Sequence, residues 1–132
     1  MNKHSVFISY SRRDADLAKA VESALERLGL KAFNPASDMR AGDDWRKSIQ
    51  AAIKRSDALI MLVGSPHNLS TSWTSYEIGI AEALGKRIMV LLPSRFPVAE
   101  LPAEVRSVQV VDFDPKAPER AARDIAARLA AA

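Results

Sequence analysis

Two periods of hydrophobicity alternate along this chain and predict its elements. Short runs rich in Val, Ile, Leu and Phe mark strands, and apolar residues returning every three or four positions mark helices. Ser5-Val6-Phe7-Ile8-Ser9-Tyr10 opens as a strand. A helix follows from Asp14 to Leu28, its apolar stripe made by Leu17, Val21, Leu25 and Leu28, with Gly29 as the C-terminal stop. Leu30 to Phe33 is a second, weaker strand. After a polar loop from Asn34 to Asp43, a helix from Asp44 to Arg55 carries Trp45, Ile49 and Ile53. Asp57 to Val63 is the most continuously apolar run and predicts the central strand, because a strand buried on both faces has no reason to alternate. A helix from Trp73 to Leu84 leads through Gly85 to a fourth strand, Arg87 to Leu92. A proline-rich loop, Pro93 to Pro102, precedes the fifth strand, Val108 to Phe113, and Pro118 to Leu129 is the last helix.

Strands alternating with helices imply a parallel sheet covered on both faces. The expected architecture is a flavodoxin-like three-layer α/β sandwich, five parallel strands in the order 2-1-3-4-5. That order opens a crevice beyond the carboxyl ends of strands one and three. The residues at those ends are Ser9-Tyr10-Ser11-Arg12-Arg13 and Gly64-Ser65-Pro66-His67-Asn68. The 132 residues read as one domain, 1–132, long enough for a single core.

Against this pattern Glu77 stands out. Trp73, Ile80, Ala81 and Leu84 form the inward stripe of their helix, and Glu77 falls inside it. No cation lies three or four residues away on that helix. Glu82 is the ordinary case, with Lys86 four residues on as a surface partner. An inward carboxylate is costly unless paired or used, so Glu77 is a candidate site residue. A structural reading competes: Thr74-Ser75-Tyr76-Glu77 fits a capping box, in which Glu77 bonds back to the Thr74 amide. That requires the helix to begin at Thr74. A start near Ser70 or Ser72 places Glu77 about one turn in, where it can face the crevice.

Composition narrows the chemistry. There is no cysteine, which removes disulfides, thiolate metal sites and a cysteine nucleophile. His4 and His67 are the only histidines, so no metal cluster and no resident cofactor are expected. Neither glycine-rich phosphate-binding fingerprint is present, nor a nucleophile elbow, and the third strand ends in Gly64-Ser65 instead of a phosphorylatable Asp. The net charge of +3 is spread along the chain without interleaved aromatics, which argues against nucleic acid. The longest apolar run, Ala58 to Val63, is far short of the roughly 20 residues of a membrane span. Met1-Asn2-Lys3-His4 runs directly into a strand with no signal peptide, so a cytoplasmic location is expected. Arg12 and Arg13 read either as holding a diphosphate or as solvated cations. Asp14, alone or with Ser11, starts a helix, and Gly42-Asp43-Asp44 turns the chain into the next, with Trp45 in the core.

Three blocks resemble Toll/interleukin receptor (TIR) domains. They are Val6-Phe7-Ile8-Ser9-Tyr10-Ser11-x-x-Asp14, Gly42-x-x-Trp45-x-x-x-Ile49-x-x-x-Ile53-x-x-Ser56, and Ser72-Trp73-x-x-x-Glu77. The last is similar to the signature of the enzymatic branch, and the compact Ala/Arg-rich style looks bacterial. The resemblance, which runs to about Phe113, implies cleavage of NAD+ at the nicotinamide–ribose bond, to ADP-ribose or a cyclic isomer. It implies Glu77 as the catalytic carboxylate. Trp73 becomes a neighbour in the site wall, Tyr10, Ser11 and Arg12 the loop lining the nucleotide cleft, and Trp45 a further substrate-binding candidate. The loop from Asn34 to Asp43 corresponds to one used in assembly and substrate access. One departure is Asn34-Pro35, where family enzymes often have an acid after the second strand. Expected partners are NAD+, further copies of the chain, and other TIR domains or a fused sensor domain; delivery into a host cell is a variant of the cytoplasmic location. Two rivals are a non-catalytic TIR–TIR docking module and a nucleoside-processing glycosidase that also uses one glutamate.

Overall fold

All five expected strands pair in one sheet. Strands β1 (Ser5–Ser9), β2 (Lys31–Phe33), β3 (Ala58–Leu62), β4 (Arg87–Pro93) and β5 (Gln109–Phe113) run parallel in the order β2-β1-β3-β4-β5. This is the expected flavodoxin-like arrangement, and β3 is the central strand. The computed structural model describes residues 4–10, 12–33, 45–64, 72–93 and 109–131. The expected loops at 34–43 and 94–102 lie outside them. Among the described residues four helices, α1 (Ala15–Arg27), α2 (Trp45–Arg55), α3 (Ser72–Ala83) and α4 (Pro118–Ala130), cover the sheet.

Strand alternation sorts the core into two layers. From β1, Val6 and Ile8 join α1 and α4, packing with Val21, Leu25, Ala122 and Ile125. Phe7 points the other way, towards α2 and α3, packing with Ile49, Ile53, Ile78 and Ala81. Every residue of β3 is buried, as its unbroken apolar run predicts. Opening a cavity in either layer, for example by Ile60→Ala, would cost about 2–5 kcal/mol.

Two helix stripes differ from expectation for a common reason. Both α1 and α3 end in the same left-handed turn. Gly29 at φ 87° and Gly85 at φ 67° let the following amide bond back into the last turn. Leu30 N–H reaches the Leu25 carbonyl, and Lys86 N–H reaches the Ala81 carbonyl. The helices therefore stop at Arg27 and Ala83, which leaves Leu28 and Leu84 exposed rather than in the stripes. In α1 the inward face is instead Ala18, Val21, Ala24 and Leu25. Because α3 has already ended, Glu82 and Lys86 do not share a helix face, and the expected ion pair is not among the salt bridges of the described residues.

Candidate active site

At the carboxyl edge of the sheet, α3 begins at Ser72, so Glu77 is its sixth residue and lies in the second turn. A capping box needs the glutamate three residues after the cap, and Thr74 is already inside the helix. The capping-box reading of Glu77 is thereby excluded. Its side chain points to the sheet with Ile78 and Ala81, and it is 1% exposed.

The partner of Glu77 comes from β1. Ser9 follows Phe7 by two residues, so it faces the α2/α3 layer at the last position of the strand. It is fully buried, and its Oγ donates a 2.6 Å hydrogen bond to Glu77 Oε1. Glu77 Oε2 is equally buried and has no hydrogen-bond partner among the described residues. An unpaired buried oxygen of this kind costs roughly 1–3 kcal/mol, more when charged. Burial raises the Glu77 pKa from 4.5 to about 7, against the lowering effect of the Ser9 bond. At neutral pH the group is thus poised between its two protonation states, with one oxygen held by Ser9 and the other buried without a partner among the described residues.

A second contact joins the two strand ends that border this edge. Asp14 is buried, and its Oδ2 accepts the Gly64 N–H at 3.2 Å. Asp14 does precede α1, as expected, but its side chain makes no cap bond to that helix. It is turned across to the end of β3 instead. Gly64 has no room for a side chain there, because a Cβ would run into the Asp14 carboxyl group. The segment after β1 and the segment after β3 are held together at this point.

The other residues expected at the site divide by face and by description. Tyr10, one position beyond Ser9, packs against the α1/α4 layer, on the other side of the sheet from Glu77. Arg12 opens a short 3-10 turn, Arg12–Asp14, Trp45 begins α2, and Trp73 is the second residue of α3. The side chains of these three, and Ser11 altogether, lie outside the described residues. Ser9 was not among the expected site residues. Strand parity alone did not single it out, since the Phe7 side of β1 carries a serine at each end, Ser5 and Ser9.

The family model for the TIR domain matches residues 6–129. The chain belongs to the TIR domain family. Among solved structures, the TIR domain of the Toll-related receptor TRR-2 from Hydra magnipapillata superposes with a TM-score of 0.73 at 20% identity, over 93% of this chain and 95% of that one. The RPS4 and RRS1 TIR domain heterodimer gives 0.68 at 14% identity, covering 96% and 97% of the two chains. The CMP N-glycosidase BcmB of Clostridium botulinum gives 0.61 at 22% identity, covering 93% and 98%. No curated protein matches the sequence. These likenesses place the TIR fold, and no helix among the described residues is long and apolar enough to cross a membrane.

Proposed function

We propose that this TIR domain is an NAD+ nucleosidase, with Glu77 as its catalytic carboxylate. One observation carries the reading: a glutamate in a sheet-facing helix stripe, buried at the carboxyl edge, with one oxygen held by Ser9 and the other unpartnered among the described residues. A structural carboxylate would have both oxygens satisfied. This one is left in want of a donor or positive charge that none of the described residues supplies.

The chemistry requires little more. Ordinary glycoside hydrolysis uses two carboxyl groups, one of them to protonate a poor leaving group. The nicotinamide of NAD+ carries a positive charge and departs neutral, taking the electron pair of the C1′–N bond. No general acid is needed. What remains is an oxocarbenium charge on the ribose, captured by water or by another atom of the same molecule. A carboxylate ~4 Å from that charge, at an effective dielectric of ~20, contributes about 4 kcal/mol. That is worth roughly three decades in rate. Only the ionised form of Glu77 does this work, so turnover rises with pH through about 7.

A second reading has its own support. The fold is shared with a CMP N-glycosidase, and a single glutamate could also serve a nucleoside substrate. The non-catalytic docking module has less support, since docking gives no reason to leave Oε2 without a partner among the described residues. The test is incubation of concentrated protein with NAD+ and, separately, with CMP, followed by mass spectrometry of the products. Concentration matters because a TIR site that is completed by self-association would look inactive when dilute. Nicotinamide release that disappears in Glu77→Gln supports the proposal. Cleavage of CMP alone selects the second reading, and no turnover of either leaves the docking module.

A further inference from the structure

We infer that Ser9 is a positioning residue, which fixes the Glu77 carboxyl and assigns its two oxygens different duties. The inference rests on the catalytic role proposed for Glu77 and extends it to a residue 68 positions earlier in the chain. Ser9 ends β1 on the α2/α3 side, where the preceding residue of the same face is Phe7. A fully buried serine in a strand has no water to bond with, and this one gives its hydroxyl proton to Glu77 Oε1 at 2.6 Å. The bond crosses from strand to helix and holds the carboxyl group in one orientation. Oε1 is thereby occupied as an acceptor, which leaves Oε2, without a partner among the described residues, as the oxygen to meet the substrate. A proton held by neutral Glu77 belongs on Oε2, since Oε1 is facing a donor. The substrate group met there is one that gives a hydrogen bond or carries positive charge, such as a sugar hydroxyl or a ribosyl cation. Without Ser9 the carboxyl can rotate and its charge loses a donor.

The experiment compares Ser9→Ala and Ser9→Cys with the parent protein. Alanine removes the donor; cysteine keeps the shape and offers only a weak one, which guards against an alanine variant that fails to fold. Turnover of NAD+ is measured against pH, and the Glu77 carboxyl carbon is titrated by NMR on 13C-glutamate protein, its signal assigned by its absence in Glu77→Gln. Both variants are expected to lose about 10- to 100-fold in kcat with KM nearly unchanged. Their acid limb and Glu77 midpoint both move to higher pH. Unchanged kcat and midpoint in both variants would overturn the inference. So would a cysteine variant that behaves like the parent while alanine is impaired, because packing would then be the cause. If the parent protein does not cleave NAD+, the functional reading fails, and the NMR midpoint alone decides whether Ser9 holds the carboxyl.

Discussion

The two edges of the sheet treat their polar groups in opposite ways. At the amino edge, Asp57 accepts the Ser5 N–H at 2.8 Å and lies 3.6 Å from His4, half in solvent. Ser5 Oγ donates to the Arg55 carbonyl, and Ser56 Oγ to the Ala52 carbonyl. Polar atoms there find partners in their own chain, and they tie α2 to the start of β1. At the carboxyl edge, Glu77 is withdrawn from water and keeps one oxygen without a partner among the described residues. A fold that only needed stability would have treated both edges like the first. The difference is what marks Glu77 as the candidate site residue.

That contrast can be broken most forcefully at Glu77. Glu77→Ala is expected to lower nicotinamide release by about three decades, matching the electrostatic contribution of one carboxylate. A chromatographic assay of nicotinamide at high protein concentration checks it.

The next effect is on stability, and it has the opposite sign. Folding raises the Glu77 pKa from 4.5 to about 7, so between those values the folded chain binds more protons than the unfolded one. Stability contributed by this group is therefore highest below about 4.5 and falls as pH rises to about 7, by roughly 3 kcal/mol. Glu77→Gln cannot ionise and should escape the loss. Urea denaturation of both proteins at pH 5, 6, 7 and 8 should show curves that separate with rising pH, the variant being the more stable.

Gly64→Ala sharpens the comparison further along the same edge. Its methyl group collides with the Asp14 carboxyl, and the expected loss is about 1–3 kcal/mol, read as a lower melting temperature. The smallest effect belongs to the amino edge. Asp57→Ala removes exposed contacts to Ser5 and His4 and should cost about 1 kcal/mol or less while leaving turnover unchanged.

Most of the architecture was legible in the sequence because burial on both faces leaves an unmistakable run in β3, and helix stripes announce their period. Glu77 was legible for the same reason, as an acid in a place reserved for apolar side chains. Its partner was harder to see. Ser9 and Glu77 meet only after β1 has taken its place beside β3 and α3 has packed across the sheet, and no local pattern carries that information. Asp14 misled in another way. Its position before a helix gives a good cap signal, yet its carboxyl found a backbone donor at Gly64 instead. Leu28 and Leu84 were read into stripes because periodicity alone does not say where a glycine will turn the chain.

Parity at the end of β1 carries a cost for any descendant of this chain. Ser9 and Tyr10 look to opposite sides, so one codon inserted or deleted within Val6–Ile8 would exchange them. A deletion would press the phenol ring on the glutamate, and an insertion would bring Ile8 there and turn Ser9 to the α1 side. Length variation among relatives should consequently be absent from this strand and collect in the connections between elements.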